Sequence, residues 1–208
     1  PHGIVVFPGF EIASNDKTHY VCLFPEDTTV QQLDRYLGNL KLHDPADGIR
    51  PSRLSSEELI EEVDLLGGFI YAAHCTQDSG LLKNRLNHVW KHPKLRAAQI
   101  PGSIDDLTSI EGDFYRKVFL NKDDSYRRER PVAAINAKDV AKPDDLDQPS
   151  ATCFIKMTRP TFAAFKVAFL DPGSRVRLNS QQAQSPIGKV VSMTVAGGYL
   201  DGVRVAFS

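Results

Sequence analysis

Four residues in this 208-residue chain carry the chemistry worth building on: Glu11, His19, His74 and Asp139. Two carboxylates and two imidazoles are the donor types that hold divalent metals such as zinc, manganese, iron or magnesium. Each sits next to an apolar run that reads as a buried strand. Ile4 to Phe10 leads into Glu11, Phe69 to Ala73 stops at His74, and Pro131 to Asn136 runs to Asp139. Metal hydrolases gather such groups at one rim of a sheet or barrel. Taken singly, each also has a structural reading. Glu11 could face solvent, His74 could be a core histidine bonded to backbone, and Asp139 could cap a turn.

The elements around them must do the gathering. His19 to Phe24 reads as a second strand, and the polar link Ala13 to Thr18 is short enough for a hairpin that sets Glu11 beside His19. Val30, Leu33, Leu37 and Leu40 recur at helical spacing. Ser55 and Glu58 form a capping box for a helix with Leu59, Ile60, Val63 and Leu66 on its apolar face, ended by Gly67 and Gly68. Leu81, Leu82, Leu86, Val89 and Trp90 predict a helix after Gly80, and Arg96 to Ile100 a short strand. Further strands are expected over Thr152 to Met157 and Arg175 to Leu178. Between them, a helix opened by Pro160 carries Phe162, Phe165 and Phe169. Alternating strands and helices of these lengths argue an α/β fold, as an open sheet or a barrel.

Residues 179–189 read as a polar linker, and two strands within 190–208 as a hairpin too small to be a domain. The chain opens and closes on apolar strands without an initiator Met, so a piece of a longer protein is expected.

Bulk numbers set bounds. Net charge is -1, with 41% hydrophobic and 25% charged residues, so any phosphate-binding surface must be local. No apolar run reaches the length of a membrane span. Cys22, Cys75 and Cys153 lack CxxC spacing and sit in apolar runs. Small buried core residues and a reducing, cytoplasmic setting are expected. Arg127, Arg128 and Arg130 form the basic cluster, and Lys156 interrupts an apolar strand. Arg127, Arg128 and Lys156 are candidates for substrate phosphate, although the acids among the arginines fit a solvated loop equally. Gly188-Lys189 is not a phosphate-binding loop, since Ala183 and Val190 replace the glycine and hydroxyl it needs.

Several strings resemble PHP (polymerase and histidinol phosphatase) domains: Pro8-Gly9-Phe10-Glu11-Ile12, His19 opening a strand, and Ala72-Ala73-His74. Others resemble one branch, the TrlF type, in which a PHP domain is fused to an AAA/SMC-like ATPase. These include His74-Cys75-Thr76-Gln77-Asp78-Ser79-Gly80, Asn136-Ala137-Lys138-Asp139 and Phe154-Ile155-Lys156-Met157.

The resemblance implies a distorted β/α barrel, incomplete at its N-terminus, over 1–178, and an ATPase head beginning in the 190–208 hairpin. It implies phosphoester hydrolysis, with nucleic acid among the substrates, by metal-activated water, and Glu11, His19, His74 and Asp139 as metal ligands. The His-x-His strand that opens PHP domains is absent, and Ala141 stands where a histidine usually follows the last Asp. A catalytically degenerate domain that regulates the linked ATPase is therefore the alternative. An incomplete barrel would also leave an open edge suited to oligomer formation.

Overall fold

The computed structural model describes residues 3–42, 50–109 and 112–181, and the strands 192–194 and 204–206. Five strands form one mixed sheet in chain order: β1 (Gly9–Ala13), β2 (His19–Leu23), β3 (Phe69–Ala72), β4 (Ala97–Gln99) and β5 (Ala133–Ile135). The pairs β1–β2 and β2–β3 are antiparallel, and β3–β4 and β4–β5 are parallel. The expected barrel is not found: the described strands form an open sheet, with β6 (Cys153–Ile155) and β7 (Val176–Leu178) as a separate antiparallel pair. Strands of three to five residues give too little length and stagger for closure.

Both faces are covered. Alternation along the strands sends Ile12, Tyr20, Cys22, Ile70 and Ala72 to one face, against Leu59, Ile60 and Val63 of α2 (Ser56–Leu65). It sends Phe69, Tyr71, Ala97, Ala133 and Ile135 to the other, against Phe162, Phe165 and Phe169. Those three phenylalanines lie on or just after one short helix, Phe162–Ala168, capped by the Thr161 hydroxyl. The capping box on α2 forms as expected from Ser55 and Glu58. The helix before α2, α1 (Val30–Asn39), has its own box from Thr29 and Gln32 and buries no residue fully.

Two expectations fail locally. Ile4 to Phe7 is not a strand, and Ile4 and Val6 are exposed. The β1 strand begins at Gly9, where a Cβ would lie 2.1 Å from the Cys22 carbonyl oxygen, so only glycine permits that approach. The helix expected after Gly80 shrinks to α3 (Asn87–Trp90). Leu81 and Leu82 are buried, but the amides of Leu82 and Lys83 both donate to the Cys75 carbonyl, and Arg85 adopts a left-handed φ of 59°. That reversal stops a continuous helix. The remaining helices are α4 (Phe114–Phe119), α5 (Phe162–Ala168) and α6 (Pro172–Arg175).

Cys22 and Cys75 are buried and Cys153 half-buried, all as free thiols. No helix among the described residues is long and apolar enough to cross a membrane. Strands β8 (Ser192–Thr194) and β9 (Arg204–Ala206) pair antiparallel, as the expected hairpin requires. Its Gly-rich connection, Pro45 and Gly48 of the early loop, and the linker beyond Gln181 lie outside the described residues.

The β1–β2 turn is anchored in a way the polar link did not disclose. Asp16 accepts from the Ser14 hydroxyl at 2.6 Å, and from the Ser56 hydroxyl at 2.9 Å and amide at 3.1 Å at the start of α2. Burial opposes its charge, yet these bonds hold the Asp16 carboxyl below its ordinary 3.8. Asp16→Ala is expected to cost about 1–3 kcal/mol in denaturant unfolding, whereas exposed Asp27→Ala should leave the midpoint unchanged.

Candidate metal centre

The hairpin register builds the first half of the site. Glu11 pairs with Val21 and Ala13 with His19, so Glu11 and His19 are diagonal neighbours on one face. The His19 Nδ1 lies 2.8 Å from Glu11 Oε1, within hydrogen-bonding distance. Glu11 is therefore mid-strand rather than past a strand end.

His74 completes the group by breaking the alternation of β3. Phe69 and Tyr71 point to the face that carries Glu11, and strict alternation would send residue 74 to the opposite one. Its backbone instead turns left-handed, at φ 26°, which a non-glycine residue adopts at a steric cost. The turn is fixed from three sides. The His74 amide donates to the Gln99 side chain at 3.0 Å, the Cys75 amide to the Gln99 carbonyl at 3.0 Å, and the His19 amide to the Ser79 carbonyl at 3.0 Å. Gly80 makes room: a Cβ there would meet the His74 carbonyl oxygen at 2.5 Å.

As a result His74 Nε2 lies 3.5 Å from Glu11 Oε1, and the two imidazole centroids are 5.1 Å apart. One ligand atom each from Glu11, His19 and His74 falls within 4.8 Å of the others. The donor set fits a borderline transition metal with an open position. Two imidazoles and one carboxylate are a known catalytic zinc set, and arms of about 2.0–2.2 Å in a tetrahedron separate ligand atoms by about 3–3.5 Å. The observed 2.8 and 3.5 Å bracket that separation.

The electrostatics agree with a cation-attracting centre. His74 holds the Glu11 carboxyl below its ordinary 4.5 against burial, with His19 adding to the effect. Glu11 in turn raises His74 above 6.5, opposed by burial, with a smaller push from the charge of Asp139. The His74 Nδ1 is buried without a hydrogen-bond partner, which favours the proton at Nε2, facing Glu11.

Asp139 is exposed and outside the three-residue cluster, but it borders the same cleft, of about 370 Å³, with Glu11, Tyr71, His74 and Gln99. Burial, then the charges of Glu11 and Asp139, push the Tyr71 hydroxyl upward. Lys138 also lines this cleft, and its ammonium donates to Gln148 at 2.6 Å. It is the cation that sequence reasoning passed over, although it stands beside Asp139.

The cations expected at substrate are elsewhere. Arg127 is exposed and pairs with Asp124 at 2.8 Å. Arg128 donates to the carbonyls of Trp90 and Arg130, and burial lowers it to about 10. Both line a different cavity, which shares no residue with the metal cleft. Lys156 is exposed just past β6 and does not line the metal cleft.

No family model and no curated protein matches the chain. The fold and site together describe an α/β domain with a three-residue metal-type cluster at one rim of its sheet. Among solved structures, the fold is similar to the lesion-specific endonuclease PfuEndoQ from Pyrococcus furiosus. The TM-score is 0.51 at 17% identity, over 79% of this chain and 38% of that one.

Two outcomes follow from the geometry. Gly80→Ala must displace the His74 carbonyl and should weaken zinc binding at least about tenfold, as loss of a supporting contact does, read by competition with a colorimetric chelator. In chelator-treated protein the Glu11–His74 pair contributes a pH-dependent stability. The lowered Glu11 contributes fully above about 4.5 and loses this as pH falls; the raised His74 contributes fully below about 6.5 and loses it as pH rises. The difference in unfolding midpoint between wild type and His74→Gln should thus peak between those values. It should amount to under about 1 kcal/mol, because both side chains are partly exposed.

Proposed function

We propose that the chain is a PHP-like, metal-dependent phosphoesterase domain of nuclease type. The observation that carries this is the convergence of Glu11, His19 and His74 ligand atoms within 4.8 Å at a cleft. The fold likeness to a lesion-specific endonuclease supports the nuclease class over other hydrolases. The PHP-like motifs around Glu11, His19 and His74 support it independently. Fusion to an ATPase, of the TrlF type, is part of the same proposal and rests on the sequence resemblance.

Glu11, His19 and His74 would hold the ion. A divalent metal bound there supplies positive charge to polarise a phosphoryl oxygen and activate water. The chain's own groups do the rest. Glu11, held below its ordinary range by His74 and His19, would offer an ionised carboxylate to the ion. Asp139, which lines the same cleft, would accept a proton from attacking water. Lys138 offers an ammonium to a phosphate oxygen in the same cleft. Gln99 and the 75–80 loop hold the His74 imidazole in position.

One observation favours the regulatory alternative: Asp139 stands apart from the cluster, and Ala141 supplies no further imidazole. The two readings separate in one experiment. Metal content is measured by mass spectrometry, and hydrolysis of bis(p-nitrophenyl) phosphate and of single-stranded DNA is followed with zinc or manganese. The nuclease reading expects about one ion per chain and a loss of at least about a hundredfold in rate for His74→Ala. Metal bound without hydrolysis selects the regulatory domain. Absence of binding in wild type removes both the metal and the enzyme.

A further inference from the structure

The strongest concentration of positive charge lies away from the metal cleft. A cavity of about 610 Å³ is lined by Lys91, Lys94, Arg96, Arg127, Arg128 and Arg130, with Glu129 as its one carboxylate. In a chain whose net charge is -1, this clustering is local. Lys94 is neutralised by Glu61 at 2.6 Å and Asp64 at 2.9 Å, and Arg127 by Asp124. Among the described residues, Lys91, Arg96, Arg128 and Arg130 make no ion pair. Four cations therefore face the single acid.

The guanidinium of Arg128 is fixed rather than mobile, held by the carbonyls of Trp90 and Arg130, and partly desolvated. A pre-positioned guanidinium loses little entropy on meeting a phosphate. Pro93, Pro131 and Leu170 supply apolar wall between the charges. The cavity does not end there. A second one, of about 790 Å³, shares Glu129, Arg130, Pro131 and Leu170 with it and continues to Arg177. Each cavity alone has the size of a small-ligand site. The two cavities adjoin through these shared residues, and the second adds one carboxylate, Asp171, which the Ser174 hydroxyl engages, so the joined lining still carries more unpaired cations than acids.

The groove also has a definite place on the sheet. Arg96 precedes β4 and Pro131 precedes β5, whereas the metal cleft is lined by residues at and beyond the other ends of these parallel strands, Gln99 to Pro101 and Ala137 to Asp139. The two are separate sites at opposite strand ends.

We propose that this groove binds single-stranded nucleic acid through its phosphodiester backbone, with Lys91, Arg96, Arg128 and Arg130 on phosphates and the apolar wall accommodating sugars and bases. A positively charged groove tracks the phosphodiester backbone of a single strand without reading its sequence. The inference is independent of metal chemistry, and its test is run with chelator so that a failure of the hydrolase reading does not bear on it.

The experiment is fluorescence anisotropy of a labelled oligothymidylate with the chain in EDTA. Wild type should bind with a log–log salt slope of about -2 to -3, from four phosphate contacts at about 0.7 each. The surface variant Lys91→Gln should reduce both affinity and slope. Arg96→Gln combined with Arg130→Gln should weaken binding at least about tenfold at unchanged melting temperature. Lys117→Gln, an exposed lysine paired with Asp113 and outside the groove, should bind like wild type. Millimolar inorganic phosphate should compete poorly, and polyglutamate should not displace the strand at equal charge. Failure of wild type to bind overturns the proposal, as does unaltered binding by the Lys91 and Arg96/Arg130 variants. Displacement by phosphate alone would make this a small-anion site, and equal displacement by polyglutamate an acidic-protein site. Either result would overturn it as well.

Discussion

The site depends on the register in which β2 pairs with both of its neighbours. Pairing Glu11 with Val21 and Val21 with Tyr71 sets these three side chains on one face of the sheet. Every inward residue of the opposite face is thereby committed to the core with Leu59, Ile60 and Val63. A one-residue slip of β1 would bury Glu11 and expose Ile12, at a cost no hydrogen bond here could offset. The apolar face thus enforces the polar one. Anchoring of the turn by Asp16 and Ser56 ties the same register to the start of α2.

His74 is where the fold departs from regularity, and the departure brings its imidazole into the cluster with Glu11 and His19. A left-handed non-glycine residue, supported by Gln99 and given room by Gly80, turns an imidazole toward Glu11 that plain strand geometry would direct away. Strain of this sort persists only where the surroundings over-determine it. The surroundings include the buried Cys75 and Leu82, whose backbone contacts hold the 75–82 reversal in place.

Much of this was legible in the sequence, for identifiable reasons. Apolar runs marked β2 and β3, the Ser55/Glu58 box located α2, and the short polar link brought Glu11 and His19 together. What was hidden depends on tertiary contact. The apolar run at Ile4 to Phe7 reads as buried strand, yet only Phe7 packs, against Phe162 and Phe165. The leucines after Gly80 have helical spacing, but the Cys75 carbonyl captures the amides of Leu82 and Lys83. The role of Arg128 could not be read from its neighbours in the chain, because its partner is the carbonyl of Trp90, distant in sequence. The barrel came with the family resemblance; alternation alone allowed an open sheet, which is what the described strands form.

The central proposal is that two imidazoles and one carboxylate, from His19, His74 and Glu11, share one ion. X-ray absorption at the metal edge of the zinc-loaded chain measures that directly. Two imidazole scattering shells are predicted in wild type, falling to one in His19→Ala and to one in His74→Ala, with the remaining shell oxygen. A shell of oxygen alone in wild type, or two imidazoles persisting in both variants, would contradict it.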